Sequence, residues 1–110
     1  LNFSLSKNLK NDCLASAALQ GFIFIMTYFY KNGGMTSMEA CYNVGRFFHG
    51  YGMSTYAVTF YRACLNLSNQ TMTSKPNDLF REAAHNLALI YDASGNRDLA
   101  NNILKMYLTI

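Results

Sequence analysis

The sequence predicts an all-α fold of antiparallel helix pairs stacked as a short solenoid of about five helices. Two observations carry that prediction. Residues 39–65 (EACYNVGRFFHGYGMSTYAVTFYRACL) recur 43 positions later as residues 82–108 (EAAHNLALIYDASGNRDLANNILKMYL). Six of the 27 aligned positions are identical: Glu39/Glu82, Ala40/Ala83, Asn43/Asn86, Gly52/Gly95, Ala57/Ala100 and Leu65/Leu108. Within each copy, apolar residues recur at helical spacing on both sides of one glycine, which is the pattern of two helices and a turn. Such a pair buries its apolar faces by stacking on its neighbours, and stacked pairs more often build partner-binding surfaces than active sites.

Taken in order, residues 1–11 are polar and weakly patterned, a frayed helix end or a loop. Residues 12–31 form a strongly apolar helix with a stripe of Ala18, Phe22, Ile25, Met26 and Phe29. Leu19, Ile23 and Phe24 lie on its other face, so both sides should be covered. It reads as the return helix of a truncated preceding repeat, stopped by Asn32-Gly33-Gly34. The competing reading is a membrane span over 14–30. That run has only 17 residues and includes Ser16, Gln20, Gly21 and Thr27, whereas a span needs about 20 mostly apolar ones.

Thr36 and Glu39 have the spacing of a capping box, opening a helix over about 37–51. Val44, Gly45 and Phe48 make its inward stripe, with Gly45 admitting the return helix and Ala57 opposite it. Gly52 ends the helix in the left-handed conformation, and Ser54 caps a return helix over about 54–67. Ala57, Phe60, Tyr61 and Cys64 face inward from it. Residues 68–77 are polar and hold the only proline, Pro76, so they read as a loop. Asn77 or Asp78 then caps a helix over about 78–94, and Asn96 caps the last, over about 97–109. Leu87, Ala88, Tyr91, Gly95, Ala100, Ile103, Leu104 and Tyr107 repeat the first pattern. The division is therefore one domain: 12–31, a first repeat 37–67, a loop 68–77 and a second repeat 78–110. The absence of an initiator Met and of a leader pattern makes the chain read as part of a longer one.

Large-small pairs on the first helix, glycine at the turn and alanine on the return helix resemble the tetratricopeptide repeat. That repeat has a usual period of about 34 residues, and the excess here falls in the polar loop. The motifs go further. YNVGRFFHGYGMSTYAVTFYRACL and REAAHNLALIYDASGNRDLANNILKMYLTI resemble the C-terminal repeats of the tetratricopeptide subunit of transcription factor IIIC (TFIIIC), the RNA polymerase III assembly factor. Gly45-Arg46 with His49, and Ser94-Gly95-Asn96, are the more specific pieces; Phe47 and Tyr51 depart from the pattern. The resemblance implies a nuclear scaffold holding other TFIIIC subunits and, through the full-length protein, helping to recruit TFIIIB. It also implies that promoter DNA is contacted mainly by other subunits. An adaptor of another assembly, in the cell cycle, transport or chaperone work, is the alternative.

By the same resemblance the first helix of each pair lines a concave groove. The candidate contacts there are Glu39, Tyr42, Arg46 and His49 from one repeat and Glu82, His85, Leu89 and Asp92 from the other. Tyr42 and Arg46 lead, because Tyr and Arg dominate interface energetics. The Lys and Asn pair by which co-chaperone repeats hold a C-terminal carboxylate is missing. Met106, Leu108 and Ile110 should face outward as a terminal apolar interface through which the chain self-associates or meets a partner.

Chemistry is excluded residue by residue. His49 and His85 are the only histidines and have no second ligand one turn away, so no metal site is expected. Neither a nucleophile with its base nor a phosphate-binding glycine loop is present, so the chain reads as neither an enzyme nor a cofactor protein. A net charge of +3 with scattered basic residues gives no stripe for direct DNA contact. Cys13, Cys41 and Cys64 are too widely spaced for a zinc site or disulfide framework, and Cys41 and Cys64 fall on inward positions. Three N-x-S/T matches, at Asn2, Asn66 and Asn69, carry little weight, because so Asn-rich a chain supplies about one or two by chance.

Overall fold

The computed structural model describes residues 2–70 and 79–108, with side chains over 16–69 and 79–108. Five helices follow one another: α1 Asn2–Lys31, α2 Met38–Gly50, α3 Ser54–Gln70, α4 Leu79–Ala93 and α5 Arg97–Leu108, with a short 3-10 turn at Gly34–Thr36 before α2. No strand occurs among the described residues. α2 packs along α3 and α4 along α5, α3 bridges to α4, and α1 lies against α2. The result is a slab of 62 × 35 × 15 Å, two helices deep.

The two helix turns are built alike, as the sequence repeat requires. Gly52 (φ 75°) and Gly95 (φ 88°) both adopt the left-handed conformation. In the first turn the Met53 amide donates to the Phe48 carbonyl at 2.9 Å; in the second the Asn96 amide donates to the Tyr91 carbonyl at 2.8 Å. Phe48 and Tyr91 are equivalent in the repeat, so one glycine-dependent bond pattern satisfies the orphan carbonyls of both α2 and α4.

The caps differ from expectation by one residue. The N-cap of α2 is Ser37, whose hydroxyl accepts from the Ala40 amide at 3.1 Å. Thr36 belongs to the 3-10 turn, where its hydroxyl donates to the Gly33 carbonyl at 2.6 Å. Ser54 is the first residue of α3 rather than its cap. α3 also runs three residues into the expected loop, to Gln70. The rest of that loop, with Pro76 and the capping positions Asn77 and Asp78, lies outside the described residues, as does Ile110.

The core is one continuous layer. Cys41, Val44 and Phe48 from α2, Ala57, Tyr61 and Cys64 from α3, and Ala84, Leu87 and Ala88 from α4 are buried in it. Ile103, Leu104 and Tyr107 pack on its edge. The close approach of α2 to α3 is at Gly45, as its size suggests, but the group opposite is the Tyr61 ring and not Ala57. A tyrosine on the return helix reaches across the gap that the missing side chain leaves.

The longest helix, α1, is covered on one side only. Ile25 and Phe29 are buried, and Phe22 and Phe29 reach the rings of Phe48 and Phe60. Leu19, Ile23 and Phe24, expected to be covered, are exposed. Helical structure also extends back to Asn2, through the segment whose pattern left helix or loop open. Among the described residues no helix is long and apolar enough to cross a membrane.

Candidate protein-interaction groove

α2 and α4, the first helices of the two pairs, carry the eight candidate contacts. Glu39, Arg46, Glu82, His85, Leu89 and Asp92 are exposed, His49 is half-buried and Tyr42 is buried. Leu89 is 49% exposed.

Two hollows divide this face, and His85 belongs to both. One, of about 420 Å³, is lined by Tyr42, Arg81, Glu82, His85, Asn86 and Leu108. The other, of about 350 Å³, lies between α4 and α5 around His85, Leu89, Asp92, Arg97, Asn101 and Leu104. The second is lined by both aliphatic side chains (Ala88, Leu89, Ala100, Leu104) and polar ones (His85, Asp92, Arg97, Asn101), the mixed composition that protein contacts use. The Arg97–Asp92 pair on the rim is solvent-exposed, with N and O 3.4 Å apart, and adds little to stability.

Tyr42 does something different from the contact expected of it. Its ring is buried against Tyr61, and its hydroxyl donates to Glu82 Oε2 at 2.7 Å. Burial, and then the hydrogen bond to Glu82, pushes the Tyr42 phenol up to about 12. The bond ties α2 to α4 and fixes one oxygen of a groove carboxylate.

A second tie runs through Tyr61. Its hydroxyl takes a 3.4 Å hydrogen bond from Asn86 Nδ2 and lies 3.2 Å from His49 Nδ1. One tyrosine of α3 therefore meets α2 and α4 together. Asn43, the repeat equivalent of Asn86, likewise donates to a tyrosine hydroxyl on the preceding helix, that of Tyr28, at 2.7 Å. The groove's framework thus depends on Asn43, Asn86, Tyr28 and Tyr61, none of which was a candidate from sequence. The signal was the Asn43/Asn86 identity, which no helical stripe explains.

Of the terminal apolar set, Met106 and Leu108 line different hollows, and Ile110 lies outside the described residues. Met106 is exposed and borders a cleft with Arg62, Leu65, Asn69 and Leu87. Leu108 turns the other way, half-buried, into the hollow with Tyr42 and Glu82. Among the described residues no three His, Cys, Asp or Glu side chains stand together as a metal site would need.

Comparison with known proteins supplies the lineage. No family model and no solved structure matches the chain. Three curated proteins do. Transcription factor tau subunit sfc4 of Schizosaccharomyces pombe is 39% identical over 103 residues, covering 82% of this chain. General transcription factor 3C polypeptide 3 of Homo sapiens is 35% identical over 95 residues, covering 84% of it. The transcription factor tau 131 kDa subunit of Saccharomyces cerevisiae is 34% identical over 76 residues, covering 69%. The chain spans a tenth or less of these relatives, 10%, 10% and 7% of their lengths. Identity at this level, over most of a chain whose repeat motifs already resembled the same subunit, leaves one assignment: over the matched residues the chain belongs to the family of this transcription factor IIIC subunit.

Proposed function

We propose that the chain is a protein-interaction segment of a TFIIIC subunit, acting in the nucleus as part of the scaffold that assembles the RNA polymerase III initiation machinery on promoters. Its direct contacts are other TFIIIC subunits, and TFIIIB is reached through the full-length protein. The segment neither catalyses a reaction nor contacts DNA itself.

The groove carries this reading. Arg46, His85 and Leu89 stand exposed on the first helices of two stacked pairs. The Tyr42–Glu82 and Asn86–Tyr61 hydrogen bonds hold those pairs in register. A partner therefore meets a preorganised face, and ordering that face costs it little binding energy. Leu89, in its hollow beside Leu104 and His85, supplies the apolar anchor, and Arg46, exposed at the equivalent position of α2, supplies a polar contact on the neighbouring pair.

Affinity purification of the full-length protein, with mass spectrometry of what comes with it, tests both parts. The unmodified protein should bring down the other TFIIIC subunits. Leu89→Glu combined with Arg46→Glu should lose at least one of them. Full recovery with the double variant would remove the groove from the interface. Recovery of a different assembly would remove the TFIIIC role.

A further inference from the structure

Glu82 is a carboxylate that the chain positions and leaves without a counter-charge. Its Oε2 accepts the Tyr42 hydroxyl at 2.7 Å across the gap between α2 and α4, the first helices of consecutive pairs. Tyr42 is 5% exposed, and burial, then this bond, pushes its phenol up to about 12, so it stays a donor through neutral pH. Glu82 itself is exposed, on the wall of the 420 Å³ hollow that Arg81, His85, Asn86 and Leu108 help to line. Among the described residues no cation is paired with it. Arg97 is with Asp92, and Arg81, next to Glu82 in sequence, holds its guanidinium over the Phe80 ring, 5.7 Å from the centre. The hollow lies within the run of helices, between α2 and α4, and not on an end of the stack.

We infer that Glu82 receives a basic side chain, the ammonium of a lysine or the guanidinium of an arginine, from another TFIIIC subunit lying in the groove; this rests on the groove reading above. Charge complementarity is the first argument. A tie between α2 and α4 needs one carboxylate oxygen, and Oε2 fills that role with a neutral phenol. The negative charge is left for a ligand. Preorganisation is the second. The Tyr42 bond orders the carboxylate before a partner arrives, so the entropy of ordering it is not lost on binding. Surroundings are the third. The buried Tyr42 ring and half-buried Leu108 keep water from one side of the site, where a charge-assisted hydrogen bond is stronger than in open solvent. Other occupants fit worse: an anion is repelled, and an apolar group strips water from an unpaired carboxylate. Arg46, one turn beyond Tyr42 on α2, makes the groove positive further along, so the preference for a base is local to this hollow.

His85 lines the same hollow, so a photoreactive p-benzoylphenylalanine in its place, in the full-length protein assembled with its partners, reports what lies there. Irradiation should join position 85 to a TFIIIC subunit, and peptide mapping should put the link within a helical turn of a Lys or Arg of that subunit. In Glu82→Gln, carrying the same probe, the amide oxygen still accepts the Tyr42 hydroxyl but the charge is gone. The yield of that link should fall about threefold or more, with the melting temperature unchanged. Raising salt from about 0.1 M to about 0.3 M should lower the yield with Glu82 present and hardly alter it in Glu82→Gln. The mapping leaves Glu82 in place, so it decides the matter by itself should Glu82→Gln unfold. A link to a TFIIIC segment with no Lys or Arg within a turn would overturn the basic contact and leave the groove reading standing. So would an equal yield, or an equal salt response, in folded Glu82→Gln. A position 85 that links to no TFIIIC subunit would overturn both.

Discussion

Gly45 lies directly against the Tyr61 ring: a Cβ built on the glycine would stand 2.7 Å from both Cδ1 and Cε1. Tyr61 has no exposed surface, so the ring has no free space to retreat into. Gly45→Ala should therefore destabilise the fold by about 1–3 kcal/mol, less up to ~1 kcal/mol regained as helix propensity, and Gly45→Leu should cost more. Gly50 is the control, because a Cβ there meets nothing within 4 Å. Thermal unfolding should show a loss of several degrees for Gly45→Ala and no loss for Gly50→Ala. Equal melting temperatures would remove the close contact from the account.

The two turn glycines should fail alike. Gly52 and Gly95 both need positive φ, and a Cβ at either meets open space, so strain alone decides the outcome. Gly52→Ala and Gly95→Ala should each cost roughly 1–2 kcal/mol, the usual penalty of an L side chain in the left-handed region. Urea denaturation of the two variants, compared with each other, checks whether the turns are equivalent in energy as well as in geometry.

Removing the Tyr61 hydroxyl should loosen the stack without emptying the core. Tyr61→Phe keeps the ring beside Gly45 and loses the bond from Asn86 and the contact with His49. A loss of about 0.5–1.5 kcal/mol is expected, and Asn86→Ala in the Tyr61→Phe background should add little more. Strictly additive losses in the double variant would mean that the two residues do not act together.

Cys41 and Cys64 should be silent towards thiol reagents in the native protein. Both are fully buried, and burial raises both thiols, Cys64 to about 12 with Cys41 as the second cause. Peptide mapping after labelling at neutral pH should find neither modified until denaturant is added. Rapid labelling of either would place its helix in the wrong rotation.

The same burial sets the behaviour in alkali. A thiol with an ordinary value of 9.0 and a folded value of about 12 ionises first in the unfolded chain. Tyr42 repeats this from 10.0 to about 12. Between about pH 9 and pH 12 the folded state binds more protons than the unfolded one, so stability should fall as pH rises through that window. Melting temperatures from pH 8 to pH 11 should decline, and Cys64→Ala should decline less steeply across the same range. Identical slopes would remove Cys64 from the effect.

Much of the molecule was determined by the sequence alone. The repeat of residues 39–65 in 82–108, the glycines at 52 and 95 and the small residues at 45, 57, 88 and 100 required two helix pairs, because backbone geometry and the period of the apolar stripe are local properties. The burial of Cys41 and Cys64 followed from the same register. Lineage, too, was legible in motifs such as Ser94-Gly95-Asn96. Only the tertiary structure decided what faces what. Periodicity puts Tyr42 and Leu89 on the same face of the first helices of their pairs, but does not say that the first is buried and donates to Glu82 while the second stands exposed. It says that Gly45 admits a neighbour, but not that the neighbour is Tyr61. It could not say that Asn86 crosses to Tyr61, that Leu108 turns into the groove, or that the outer side of α1 is left bare. Those outcomes depend on how far one helix rotates and slides against the next. That offset is fixed by side chains distant in sequence meeting in three dimensions, and no single helix carries a record of it.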